Sequence, residues 1–250
     1  MSDMTGTSHT AARSLSYAQW MSAADEEHTR LLRLLGDLSQ DQWQAPTDCD
    51  GWSVREIVAH LAGAAASTAT IRELARQAWL GRRLGRVGDL VDRMNQVQVR
   101  ERSDLSSADL VADLEVQVRR GIAARRRLPA PVRAVRLPFG PPLGTRPLGY
   151  LMGRIYTRDA WMHRIDLARA TGAPLELTAK HDGAIVEDIV AEWALAHGTA
   201  YDLTLTGVAG GTWRSEQTPQ TGLRMDAVEF ARTMSGRAAG DGLLAHSVPF

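Results

Sequence analysis

Two residues four apart in the stretch "IYTRDAWMHRIDLARATG", Asp159 and His163, are the first candidates for chemistry. At about 100° per helical residue they share a stripe with the apolar Met152, Ile155 and Leu167, so the stripe should point inward. Helical residues four apart have Cβ atoms about 5 to 6 Å from each other, close enough for an oxygen and a nitrogen to converge on one ion. An inward carboxylate is costly unless something compensates it: a neutral imidazole does so in part, a divalent cation fully. His60 stands in a separate apolar segment beside Val54, Ile57, Val58 and Leu61 and supplies a third donor. Three N/O donors with an open position describe a catalytic metal site, with zinc the default and iron, nickel or manganese also suited to two histidines and one carboxylate. The same residues have plainer readings, His60 as a satisfied core-edge histidine and the Asp159/His163 pair as a surface ion pair. Spacing alone leaves both open.

The elements that position these residues read as helices. Tyr17 to about Leu38 carries a stripe of Trp20, Ala24, Leu31, Leu32, Leu34 and Leu35. "WQAPTDCDGW" interrupts with Pro46 and Gly51, and Ser53 with Glu56 has the spacing of a capping box that starts a second helix, running to about Trp79 and ended by "GRRLGRVG". Asp89 to Arg100 reads as a helical connector and Ser107 to Arg127 as a third long helix. The Pro-rich "LPAPVRAVRLPFGPPLG" follows as an extended link with one short strand. A fourth helix, containing Gly149 and Gly153, is expected from Thr145 and Pro147 to the "TGAP" stop at Thr171 to Pro174. Beyond it the texture changes to a helix from about Thr178 to His197, strands at "YDLTLTG" and "GTWRS", and a helix near Asp226 to Ser235. The fold class expected is mainly α: a four-helix bundle over 1–173 with a small α+β domain over 174–250.

Bulk properties exclude several classes. The chain has 250 residues, 29 basic and 29 acidic, for a formal charge of zero, so no global field recruits nucleic acid or an anionic membrane. The densest basic run, "RRGIAARRR" at Arg119 to Arg127, reads as the solvated end of an amphipathic helix. One cysteine, Cys49, excludes an internal disulfide framework and fits a reducing compartment. The polar N-terminal stretch is expected to be mobile and has no apolar signal core, and no segment reaches the roughly 18 to 20 apolar residues that cross a bilayer. A cytoplasmic protein, monomer or homodimer, is expected. "GVAGGTW" lacks both a P-loop lysine and a G-x-G-x-x-G, which argues against nucleotide binding.

"WQAPTDCDGWSVREIVAHLAG" resembles the N-terminal motif W-x-x-PT-x-C-x-GW-(S/T)-V-R-(D/E)-(I/L)-V-x-H-L of the mycothiol-dependent maleylpyruvate isomerase family, within the DinB-like four-helix bundles. "DAWMHRIDLARATG" is similar to that family's E-x-x-x-H-x-x-D-L-A-x-A-x-G, and "DAVEFARTMSGR" with the closing "VPF" resembles its C-terminal domain. The resemblance implies a divalent metal, usually zinc, on His60, Asp159 and His163, and an active-site arginine at Arg237. It implies mycothiol as cosubstrate and the source of the reacting sulfur, so that Cys49 is a buried structural thiol. Asp166 matches the second motif's aspartate, as a structural hydrogen bond or a contact to a metal ligand. Trp43 and Trp52 are expected as core anchors, with a pocket wall the alternative. Asp159 departs from the family's usual glutamate, and its shorter arm must draw the helices closer or hold the metal loosely.

The function implied is activation of a small-molecule thiol as thiolate, for transfer to, or cis-trans isomerisation of, a small electrophilic substrate. The alternatives are a non-catalytic bundle with a degenerate metal site that binds a small ligand or partner, which Asp159 favours, and iron-dependent oxidation on the same ligands.

Overall fold

A computed structural model describes residues 8–9, 11–85, 88–140, 143–215 and 222–250. The N-terminal stretch read as mobile falls largely outside them, as do positions 86–87 of the turn after helix two and 141–142 of the Pro-rich link. The chain divides into two compact units. One comprises Tyr17–Gly140 and Gly144–Leu175; the other is built on Glu176–Phe250 and includes the N-terminal strand β1 (Ser8–His9).

The first unit holds α1 (Tyr17–Gly36), α2 (Gln40–Trp43), α3 (Val54–Ala69), α4 (Ile71–Arg83), α5 (Leu90–Arg100), α6 (Ser107–Arg126), α7 (Ala130–Ala134), the antiparallel strands β2 (Arg136–Pro138) and β3 (Thr145–Pro147), a π-helical stretch (Tyr150–Ile155) and α8 (Tyr156–Thr171). Four of these make the bundle. α1 packs on α6 and α8, and α3 packs on the same two helices, so the chain crosses the bundle diagonally from α1 to α3 and again from α6 to α8. Their apolar stripes meet in one core that includes Leu31, Leu35, Ile57, Leu61, Leu114 and Leu167. Inside it α1 and α8 are also joined by charge, Arg164 Nε and Nη2 donating to the two carboxylate oxygens of Glu27 at 2.6 and 3.2 Å.

Local chemistry sets the boundaries. The Glu56 carboxylate accepts from the Ser53 N–H at 2.6 Å, so α3 begins as its sequence indicates. The second helix does not run on to Trp79. It breaks at Thr70, whose backbone is extended (φ −149°, ψ 146°) and whose hydroxyl accepts from Glu73 N at 3.2 Å to cap α4. The break lets α4 and α5 form a hairpin, with α5 laid against α3. Gly63 makes that approach feasible: a Cβ there would lie 2.4 Å from the Cβ and Cγ of Gln98. The fourth helix also starts later than expected, since Thr145–Pro147 pairs as a strand with Arg136–Pro138; the Pro-rich link holds the one short strand expected, β2, but is not extended throughout, because Ala130–Ala134 forms α7. Gly153 sits in the π-helical stretch where a Cβ would come within 3.1 Å of the Tyr17 ring, which explains a glycine inside a helix.

The second unit contains α9 (Asp182–His197), β4 (Asp202–Thr206), β5 (Gly211–Arg214), β6 (Leu223–Asp226), α10 (Ala227–Met234) and a 3₁₀ turn (Gly242–Ala245). Its sheet has the order β1-β5-β4-β6, with β4/β5 antiparallel and the β1/β5 and β4/β6 pairs parallel. Alternation buries Leu203 and Leu205 of β4 with Trp193 and Phe230 of the helices. β6 was not expected from the sequence; Asp226 ends it and caps α10 by accepting from Val228 N and Glu229 N. This small α+β unit follows the bundle, so the architecture is the mainly α one expected.

Candidate metal centre

α3 carries His60 and α8 carries Asp159 and His163 to one point inside the bundle. His60 Nε2 lies 3.3 Å from Asp159 Oδ2, and His163 Nε2 lies 3.4 Å from Asp159 Oδ1. The three donor atoms are within 4.8 Å of one another, and both histidines are 5% exposed. The aspartate arm is therefore long enough to stand between the two imidazoles.

The remaining ring nitrogens fix which atom of each histidine faces the centre. The Gly63 carbonyl can only accept, so Gln77 Nε2, 3.0 Å away, is an amide donor and Gln77 Oε1 an acceptor. Gln98 Nε2 donates to that oxygen at 2.9 Å, which leaves Gln98 Oε1 to accept from His60 Nδ1–H at 2.9 Å. His60 thus turns its Nε2 lone pair inward. In the same way the carboxylate of Asp166, fully buried, accepts from His163 Nδ1–H at 3.0 Å and leaves His163 Nε2 facing Asp159.

Two inward lone pairs beside a carboxylate repel one another unless a positive charge lies among them. Protons supply it in the bare protein. Burial opposes the charge on Asp159, but the His163 and His60 charges outweigh it and hold the carboxyl well below the usual range. Burial likewise opposes protonation of His163, and Asp159 outweighs it, raising the imidazole well above its ordinary value. A divalent cation satisfies the same three atoms at once, and an N₂O donor set suits one. The residues present fit such an ion.

The surroundings hold the donors still. Trp52 lies against both imidazoles, with ring centroids 5.1 Å from His60 and 6.4 Å from His163, so it is a wall of the site, whereas Trp43 is buried in the core. Cys49 is half-buried rather than buried; its Sγ donates to Asp166 Oδ2 at 3.5 Å and lies 3.9 Å from His163 Nδ1. Sequence reasoning missed Gln98 and Gln77, which sit on helices read as a connector and as the end of a longer helix. Arg237, in the second unit, follows α10 after Gly236 (φ +81°), its N–H donating to the Arg232 carbonyl at 2.9 Å.

Residues 24–168 match the family model described as the mycothiol maleylpyruvate isomerase N-terminal domain. That match covers more than half of the chain. Among solved structures, the fold is similar to the mycothiol-dependent maleylpyruvate isomerase, at 15% identity and a TM-score of 0.60, covering 90% of this chain and 91% of that one. A histidine-to-alanine mutant of the mycothiol-dependent maleylpyruvate isomerase superposes equally, with a TM-score of 0.59 at the same identity and coverage. No curated protein sequence matches the chain. Among the described residues, no helix is long and apolar enough to cross a membrane.

Proposed function

The chain belongs to the family of the mycothiol maleylpyruvate isomerase N-terminal domain, and we propose from that premise that it binds a divalent metal, zinc by default and otherwise iron, nickel or manganese, on His60, Asp159 and His163. We further infer that it acts on mycothiol and a small electrophile, as a thiol transferase or a cis-trans isomerase. The observation that carries the reading is the pair of inward Nε2 atoms flanking Asp159, each fixed by a partner on its own Nδ1. A bound divalent ion supplies Lewis acidity that keeps a thiol ionised at neutral pH.

The rest falls to the chain's own residues. Gln98 and Asp166 orient the two imidazoles and keep their inward nitrogens free of protons when the ion is present. Asp159 contributes the one negative charge among the three donors. Trp52 covers the histidines and excludes water from that side. Arg237 is proposed to hold a substrate carboxylate or developing enolate. No nucleophile on the protein is required, which leaves Cys49 a positioning role through Asp166.

The test is metal analysis of protein purified without chelator, together with mycothiol conjugation of monochlorobimane. One divalent ion per chain, lost in His60→Ala, and conjugation above the uncatalysed rate are expected. Protein that carries no ion and conjugates nothing would be the non-catalytic binding module instead. Oxygen consumption by an iron-loaded sample would point to oxidation chemistry.

A further inference from the structure

The helix α4 has two faces with different uses. At about 100° per residue, Gln77 and Gly81 fall on the side that packs inward, where Gln77 holds the Gln98 amide that in turn orients His60. The opposite side, a sector of about 120°, carries Ile71, Arg72, Ala75, Trp79, Arg82 and Arg83, all of them exposed. Ile71 is 81% and Trp79 49% exposed. Single apolar residues on a surface are ordinary, so neither would mean much alone. What distinguishes the face is the charge around them.

Three cations and no carboxylate share that sector. Glu73, the one acid of α4, lies towards the inner side and is bonded to Arg76, which also bridges to Glu101, so those charges cancel locally. The acids that begin α5, Asp89 and Asp92, accept from each other's backbone N–H groups in its capping box. Among the described residues Arg72, Arg82 and Arg83 make no ion pair, and Arg83 instead lies over the Trp79 ring, its Cζ 3.8 Å from the centroid. The chain as a whole is neutral, so this positive charge belongs to one helix face rather than to the molecule. A surface that keeps guanidinium groups beside exposed aromatic and aliphatic side chains suits a partner that is anionic and apolar at once.

Size and composition decide what kind of partner. α4 has 13 residues, so the face is about 20 Å long and about 10 Å wide, or about 200 Å², against about 800 Å² per partner in a stable protein complex. A second copy docked through the same face would oppose arginine to arginine. Single-stranded nucleic acid stacks successive bases on successive aromatic side chains, and this face offers Trp79 alone. A lipid surface needs neither the area nor a row of rings: one helix laid in the headgroup layer places a tryptophan and an aliphatic side chain below the arginines that meet the phosphates. We propose that the outer face of α4 docks the protein on an anionic phospholipid surface, with Ile71 and Trp79 entering the boundary between headgroups and acyl chains and Arg72, Arg82 and Arg83 pairing with headgroup phosphates. Ile71 and Trp79 are eight residues apart, about 12 Å along the axis, so both reach the same layer when the helix lies flat. The contact leaves the inner face, and with it Gln77 and the metal centre, as they are.

The test is cosedimentation of the chain as purified with vesicles of equal parts phosphatidylcholine and phosphatidylglycerol, and with vesicles of phosphatidylcholine alone. Binding to the mixed vesicles, binding about tenfold or more weaker to phosphatidylcholine, and release at about 1 M salt, where the Debye length is about 3 Å, are expected. The double variant Ile71→Ser/Trp79→Ser and the triple variant Arg72→Gln/Arg82→Gln/Arg83→Gln should each lose about tenfold or more in affinity for the mixed vesicles. Urea unfolding should be unchanged in both, because all five side chains are exposed. Equal binding to both vesicle types, no binding to either, or variants that bind as the wild type does would overturn the proposal. Retention of an oligothymidine in place of vesicles, lost in the same variants, would also overturn it and assign the face to nucleic acid.

Discussion

Gln98→Leu probes the metal centre without touching a donor atom. The side chain is 3% exposed, and its only link to the centre is the 2.9 Å bond from His60 Nδ1 to Oε1. Leucine fills much the same volume and deletes that acceptor. His60 is then free to rotate, or to place its proton on Nε2, where it blocks the ion. Loss of such a partner lowers metal affinity about 10- to 100-fold, which at about 1.4 kcal/mol per factor of ten is about 1.4 to 2.8 kcal/mol. The variant also strands Gln77 Oε1, which loses its 2.9 Å donor, and an unsatisfied buried group costs about 1 to 3 kcal/mol of stability. Competition for zinc against a chromophoric chelator measures the first effect, and urea unfolding in excess EDTA the second. Gln77→Leu is the control. It leaves His60 its acceptor but frees the Gln98 amide to flip, so a smaller loss of affinity, under about tenfold, is expected. The reasoning is refuted if Gln98→Leu binds zinc within twofold of the wild type while unfolding earlier, because the glutamine would then be packing and nothing more.

Three further outcomes follow from the same geometry. Asp166→Asn allows an amide NH₂ to face His163 Nδ1 and favours the tautomer with its proton inward; chelator competition should show zinc affinity falling about 10- to 100-fold with the helical circular dichroism unchanged. Gly63→Ala places a methyl 2.4 Å from the Cβ and Cγ of Gln98, pushing α5 off α3; a loss of about 1 to 3 kcal/mol in urea unfolding, with weakened zinc binding, is expected. His28 has a folded pKa of about 3 against 6.5 for the free side chain, so as pH falls below 6.5 the unfolded chain takes up the proton first and stability drops. The slope is at most about 1.4 kcal/mol per pH unit from this group, and His28→Gln should flatten urea-unfolding stability between pH 6.5 and 4.5, measured with EDTA present. An unchanged slope would place the acid sensitivity elsewhere.

The parts legible in the sequence were those where one residue type has one physical use. The apolar stripes gave four bundle helices, the Ser53/Glu56 spacing marked the start of α3, and Gly172 (φ +68°) ends α8 where the glycine-then-proline stop predicts it. The three donors were legible because a carboxylate and an imidazole four apart on an inward stripe require compensation, and the structure brings them together with His60. The break at Thr70 was written in the sequence as well. Thr70 and Glu73 have the same three-residue spacing as Ser53 and Glu56, but the Ala-rich run around them reads as continuous helix. The π-helical stretch and β6 have no comparable local signal, since both depend on what packs against them.

The harder cases are polar residues whose burial is decided by a neighbouring element. Gln77 and Gln98 look like surface glutamines until the break at Thr70 folds the α4–α5 hairpin back and Gly63 admits α5 to within reach of His60. The basic run at Arg119 to Arg127 is different, because periodicity does separate its members. Leu110, Leu114, Val118 and Ile122 form the buried stripe of α6, and Arg125 continues it, whereas Arg119 has a side chain 70% exposed and Arg126 one 46% exposed. Reading the run as a block of charge hid the one arginine that the helical period turns inward. A cation placed on an apolar stripe by the same arithmetic that places Asp159 and His163 calls for the same question, namely what carries the opposite charge. For Asp159 the answer lies in the two imidazoles and the ion they suit; for Arg125 it lies in the Met152 carbonyl that accepts from Nη1, the Tyr156 ring 5.8 Å from its Cζ and the charge of Asp25.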